Sequence, residues 1–189
     1  MQRRSLWIIS ISVLVAFCTL YCTTPPKDIF QAVKNGDMEA LSRMLDDNPG
    51  LVNLQDSHGM LPLHLAIQNC DQEAAEILIF YGADVDARRN NDDTPIYLAI
   101  HCERVEMPVL VWENGANVNL PNKENVTALM RAARLGRKKA VKFLLYAGAE
   151  INVKDNNGRT PLDLAIEHGH HKIAKILVKR GAKRGPHQE

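Results

Sequence analysis

The histidines and cysteines are the residues of this chain with the widest chemical reach, and there are 7 and 4 of them. His168, His170 and His171 cluster near the C-terminus. A metal site needs three or four ligands converging in space. No cysteine lies near these imidazoles in sequence, so no metal is expected there. His64 sits in the apolar stretch Leu61-Pro62-Leu63-His64-Leu65-Ala66 and could act as a general base. Tyr97, Met130 and Asp163 follow it at intervals of 33 residues in the same setting. Four different chemistries at one recurring place argue against a shared catalytic role. Cys70 and Cys102 invite a disulfide if the chain is exported. They stand at nearly equivalent places 32 residues apart. Packed helices lie about 8–10 Å apart, too far for directly equivalent cysteines to bridge. Free, mostly buried thiols are therefore expected. No phosphate-binding loop, nucleophile elbow or zinc-protease motif appears. No cofactor is expected, and the chain does not read as an enzyme.

The interval of 33 runs through the whole sequence. Gly82, Gly115, Gly148 and Gly181 share it, each followed by alanine. Pro62, Pro95, Ala128 and Pro161 share it, as do Ala66, Ala99, Ala132 and Ala165. Such self-similarity marks a repeat architecture. Thr94-Pro95 and Thr160-Pro161 are helix starts: the hydroxyl caps free N–H groups, and proline costs little in the first turn. A turn at Gly136 or Gly169 leads to a second helix that stops at Gly-Ala, where glycine accepts a left-handed conformation. Repeat three departs most from this pattern. Asp92 and Glu103 replace turn glycines, and Pro108 falls near the start of the second helix, so a distorted unit is expected.

These units resemble the ankyrin family. The resemblance rests on Leu61–Ala66, Thr94–Ala99, Thr127–Ala132 and Thr160–Ala165, and on Gly-Ala-Asp-Val-Asp at Gly82–Asp86 and Gly-Ala-Asn-Val-Asn at Gly115–Asn119. It implies an all-α repeat solenoid of about five helix-turn-helix units with hairpin loops. The repeats fall at about residues 28–56, 57–89, 90–122, 123–155 and 156–184, with a tail at 185–189. The first and last are expected to cap the stack. Lys172, Lys175 and Lys179 are expected to give the last its polar outer face. Family resemblance also implies protein binding through hairpin tips and the exposed side of each first helix. By register the candidates are Ser57, His58, Met60, Gln68 and Asn69; Asn90, Asn91, Asp93 and His101; Lys123, Glu124, Val126, Arg134 and Leu135; and Asn156, Asn157, Arg159, Glu167 and His168. Met60, Val126 and Leu135 are apolar where solvent is expected, as an anchor for a partner would be.

Charge is split along the ladder. Residues 27–122 hold 6 basic and 16 acidic side chains, and residues 123–189 hold 15 and 6. In a linear stack, sequence distance becomes spatial distance, so one end is acidic and the other basic. The basic repeat four suits an acidic partner, and the dipole suits a bipolar one or head-to-tail self-association. The total of +1 gives no global attraction to nucleic acid, and none is expected as a partner.

The N-terminus is a different kind of sequence. Arg3 and Arg4 precede an apolar run of 16 residues from Leu6 to Tyr21. A basic start, a short apolar core and a polar exit describe a secretory signal. Residues 1–22 are read as a signal peptide or signal anchor, with Cys22 as a possible lipidation site, and residues 23–27 as a linker. The expected location is exported: a bacterial envelope or periplasm, membrane-anchored, or secreted. The expected function is protein binding there, with tethering or inhibition of a partner enzyme as the alternative.

Overall fold

A computed structural model describes residues 28–186. Residues 1–22, read above as a signal peptide or anchor with Cys22, the linker 23–27 and the last three residues lie outside the described residues. The described residues form ten α-helices in five pairs. These are α1 (Ile29–Asn35) with α2 (Met38–Asp47), α3 (Pro62–Gln68) with α4 (Gln72–Phe80), and α5 (Pro95–Ala99) with α6 (Glu106–Glu113). They continue with α7 (Ala128–Arg134) and α8 (Lys138–Tyr146), then α9 (Pro161–Glu167) and α10 (His171–Lys179). A 3₁₀ turn over Pro49–Asn53 follows α2. Among the described residues none is in a strand, and none of the helices is long and apolar enough to cross a membrane.

Threonines cap the first helices of repeats three to five, as the sequence marks for Thr94 and Thr160. The hydroxyls of Thr94, Thr127 and Thr160 accept from the N–H groups of Tyr97, Met130 and Asp163. Asp37 and Asp71 cap α2 and α4 in the same manner. The first helices stack against one another in one layer and the second helices in another. Ala66, Ala99, Ala132 and Ala165 are wholly buried and let the first helices approach closely. Leu63, Ile96, Leu129 and Leu162 fill the space beside them. Each such side chain contributes roughly 1.5–3 kcal/mol on burial.

Repeat three is distorted as its sequence suggests. Its first helix has 5 residues, where α3, α7 and α9 have 7. Gly136 and Gly169 turn the chain at φ 72° and 73°, but Glu103 at their place does not adopt a positive φ. The chain instead passes through bends before α6. Pro108 is the third residue of α6, where an intrahelical partner for its N–H is not required.

A second ladder ties the repeats together along their loops. Asn53, Asn119 and Asn152 donate to the carbonyls of Gly82, Gly148 and Gly181. The same side chains accept from the N–H groups of Asp84, Glu150 and Lys183. Asp86 holds this register between repeats two and three and accepts from Asn117. A carboxylate has no proton to donate, so the other half of the pair is missing there.

The last repeat does not close the stack with a polar face. Lys172, Lys175 and Lys179 are exposed as expected, but they leave an apolar centre of Leu162, Ile166, Ala174 and Val178 on the surface beyond α9 and α10. Ile166 is 38% exposed and Val178 58% exposed. Ala174 and Val178 of α10 line this surface, with Lys175 and Lys179 beside them at its rim.

Candidate protein-binding surface

Each tip is a tight turn closed by its own backbone. Asp56 N–H donates to Met60 O, Arg89 to Asp93, Asn122 to Val126 and Asp155 to Arg159. Inside the turn, Asp56 Oδ1 accepts from His58 and Met60, Asn122 Oδ1 from Glu124 and Val126, and Asp155 Oδ1 from Asn157 and Arg159. Such side-chain turns hold a loop that has no strand ladder. The residue before the last of each turn is left-handed: Gly59, Asp92, Asn125 and Gly158 all have positive φ. Adjacent tips are joined as well. Lys123 N–H donates to Asn91 O and Asn156 N–H to Glu124 O. The tips of repeats three to five therefore form one connected edge.

The inner ends of the first helices are also cross-linked from repeat two to repeat five, by different chemistry at each of these three seams. The Arg137 guanidinium donates to His101 O and pairs with Glu103 at 3.5 Å. His170 Nε2 meets Arg134 O at 3.0 Å, which commits that imidazole to the backbone. Between repeats two and three the link is covalent. Cys70 and Cys102 form a disulfide, with Cα atoms 5.7 Å apart. The expectation of free thiols was wrong, and the one-residue offset is the reason. Cys70 occupies the turn position of Gly136 and Gly169 and adopts a left-handed φ of 54°. Cys102 is the residue before that position. The two therefore approach across the turn and not across the interhelical spacing. Nor are both thiol positions buried: Cys102 is buried, but Cys70 is exposed.

Most of the candidate residues are accessible. Ser57, His58, Gln68, Asn69, Asn90, Asn91, His101, Lys123, Glu124, Leu135, Asn156, Asn157, Glu167 and His168 are exposed. Met60, Arg134 and Arg159 are half-buried. Asp93 and Val126 are buried, and the expectation that they face solvent does not hold. Met60, Asp93, Val126 and Arg159 share one register, the last residue of each tip, and it points down into the seam. Asp93 is a hub there: its carboxylate accepts from Arg89, Asn91 and Asn122. Val126 packs into the core beneath the tip. Arg159 pairs with Asp155 at 2.8 Å and with Glu167 at 3.5 Å.

The recurring position of His64 is internal. His64 Nδ1 accepts from Leu61 N–H, and its Nε2 donates to Ala87 O. Burial lowers the pKa of this imidazole, so the neutral form is held. The Tyr97 ring lies beneath the Arg131 guanidinium, 4.3 Å from its centre, a cation–π contact. Asp163 accepts from Thr160, Gly185 and Arg184. Burial pushes its carboxyl up, but these hydrogen bonds outweigh it and leave the pKa lowered. Among the described residues, no group of three His, Cys, Asp or Glu is arranged to hold a metal ion.

One surface escaped the sequence reading. On the outer helices Phe80 is 84% exposed and Tyr146 78% exposed. Trp112 sets its ring edge-on to Phe143 and Tyr146, 5.6 and 6.1 Å away. Phe80 and Tyr146 share the 33-residue register at the end of the second helix, which was the available signal.

The family model for ankyrin repeats, which spans three copies, matches residues 27–89, 80–155 and 107–185. The chain belongs to the ankyrin repeat family. It is similar to an ankyrin repeat protein of Acanthamoeba polyphaga mimivirus, at 35% identity over 77 residues, 41% of this chain and 11% of that protein. It is also similar to the human 2-5A-dependent ribonuclease, at 32% identity over 71 residues, 38% of this chain and 10% of the ribonuclease. A transient receptor potential cation channel subfamily A member 1 homolog of Caenorhabditis elegans shows 32% identity over 71 residues, 38% of this chain and 6% of the channel. The matched segments span about a tenth or less of these relatives' length. Ankyrin repeats are generally protein–protein interaction modules, and ankyrin proteins of this kind typically bind and do not catalyse.

Proposed function

We propose that this ankyrin repeat protein binds a protein partner through its tip edge and the exposed ends of its first helices, in an exported, oxidising compartment. The observation that carries the binding surface is the connected edge of tips. Their backbones are committed to turns and to neighbouring tips, so Asn90, Asn91, Lys123, Glu124, Asn156 and Asn157 project from a rigid frame. Preorganised side chains lose little freedom on binding. The charge split favours a bipolar partner, or an acidic one for repeat four. The Cys70–Cys102 disulfide supports the compartment, because such bonds persist where thiols are not kept reduced. The apolar segment 1–22 supports the same reading as an export signal or anchor, with Cys22 as its possible lipidation site.

The test is capture of partners from the exported fraction with the wild-type chain, Arg134→Glu and Lys123→Glu, the latter at an exposed tip position. Each variant is checked for unchanged helicity. Loss of the captured partner in either folded variant supports this surface. Full retention in both sinks it. Mass spectrometry of the mature N-terminus tests the compartment separately, because an intact Met1 without lipid on Cys22 leaves only an uncleaved anchor.

A further inference from the structure

The C-terminal face of the last repeat is built like an interior surface. Leu162, Ile166, Ala174 and Val178 hold the register of Leu129, Ala133, Val141 and Leu145 in repeat four. Repeat five covers Leu129, Ala133 and Val141 completely. In repeat five the same face lies open as a groove of about 630 Å³ with Lys175 and Lys179 on its rim. The opposite end of the ladder has the complementary charge. Residues 28–56 hold 6 acidic and 2 basic side chains, and residues 156–184 hold 2 and 7.

The internal seams show which residues a continued stack would bring together. Tyr81 of repeat two donates to Asp46 of repeat one at 2.5 Å. By register, Lys179 is the counterpart of Asp46, and Asp47 is the counterpart of Tyr81. Trp112 of repeat three packs on Phe143 of repeat four. Val178 is the counterpart of Trp112, and Arg43 is the counterpart of Phe143.

We propose that the groove of repeat five receives repeat one of a second copy, head to tail, so that the ladder continues from molecule to molecule. Asp47 of the second copy then meets Lys179. Arg43 of the second copy, paired with its own Glu39 at 3.7 Å, lays its methylene stem over Val178. Arg137 beside Glu103 shows where Asp37 of the second copy falls, at the Gly169 turn flanked by His168 and His171. The contact is heterologous and does not close, so the products are linear.

Sedimentation velocity of the full chain, with the same mild non-ionic detergent in every sample, tests this. The average mass is expected to rise with concentration, and the association to weaken by about tenfold between low and high salt. Lys179→Glu and Asp47→Lys are both at exposed positions and are each expected to weaken it by about tenfold. Each variant alone sets like charges across every junction. Mixed together, the two variants regain opposite charges at both kinds of junction, one as in the wild type and one with the signs exchanged. The mixture is therefore expected to associate again, in alternating linear chains. Monomers of the wild type at every concentration would overturn the proposal. So would association that survives both single variants, or one that Asp47→Lys leaves intact while Lys179→Glu abolishes it, which marks a tail-to-tail dimer. Failure of the mixture to associate would do the same.

Discussion

Cys70 and Cys102 join the inter-helix turn of repeat two to the end of the first helix of repeat three, with Cα atoms 5.7 Å apart. The bond stands at the same kind of seam where Arg137 reaches His101 O and His170 reaches Arg134 O. It braces repeat three, whose first helix is the shortest of the five. Cys70→Ala with Cys102→Ala is expected to lower unfolding stability by about 2–4 kcal/mol. Replacing Cys70 by glycine in the double variant should recover about 1 kcal/mol, because the site has a left-handed φ of 54°. Urea titrations of the two double variants and of reduced wild type make the comparison. Equal stability of oxidised and reduced wild type would refute the bracing role.

His64 and Asp163 make stability fall in two steps on the acid side. Burial lowers the His64 pKa in the fold, so above pH about 6.5 its contribution is complete. As pH falls below that value the unfolded chain binds the proton first, and stability declines until the folded pKa is passed. Asp163 has a lowered folded pKa despite its burial, so its contribution is complete above its ordinary value of about 3.8 and is lost below it. Urea midpoints between about pH 8 and 3 should show both steps. His64→Gln should remove the upper step and Asp163→Asn the lower, each at a cost of about 1–3 kcal/mol at neutral pH.

Gly136 and Gly169 share a backbone conformation but not a neighbourhood. A Cβ on Gly136 would lie 2.6 Å from the His170 ring, whereas one on Gly169 meets nothing within 4 Å. The His170 ring is held by Arg134 O and cannot yield without losing that contact. Gly169→Ala should cost about 1 kcal/mol from backbone strain alone, and Gly136→Ala about 1–2 kcal/mol more. In the His170→Ala background the difference should vanish. Thermal or chemical unfolding of the four variants measures the coupling.

Asp86 interrupts the asparagine ladder. Asp86→Asn restores a donor toward Gly115 O, as Asn53, Asn119 and Asn152 have toward Gly82, Gly148 and Gly181. The substitution is expected to stabilise by about 0.5–1.5 kcal/mol. A lower urea midpoint than wild type would show that the carboxylate serves this seam better than the amide.

Much of this architecture is legible in the sequence because it is local. Thr94, Thr127 and Thr160 cap helices that begin one residue later, and Gly82, Gly115, Gly148 and Gly181 each follow a helix that stops two residues before them. The binding candidates are legible to the extent that register predicts exposure. It fails at Asp93 and Val126, because the last residue of a tip points into a seam formed only when the next repeat packs.

By itself the sequence determined the period, the helix pairs, the caps and the split of charge, since each depends on residues a few positions apart or on a simple count. The tertiary structure alone decided that Cys70 and Cys102 meet, that Asp93 is a buried hub, and that the last repeat presents Ile166 and Val178 to the outside. Those facts depend on how one repeat lies against the next. A one-residue offset moves a side chain about 100° around a helix, or across a turn, and periodicity does not reveal which neighbour it then faces.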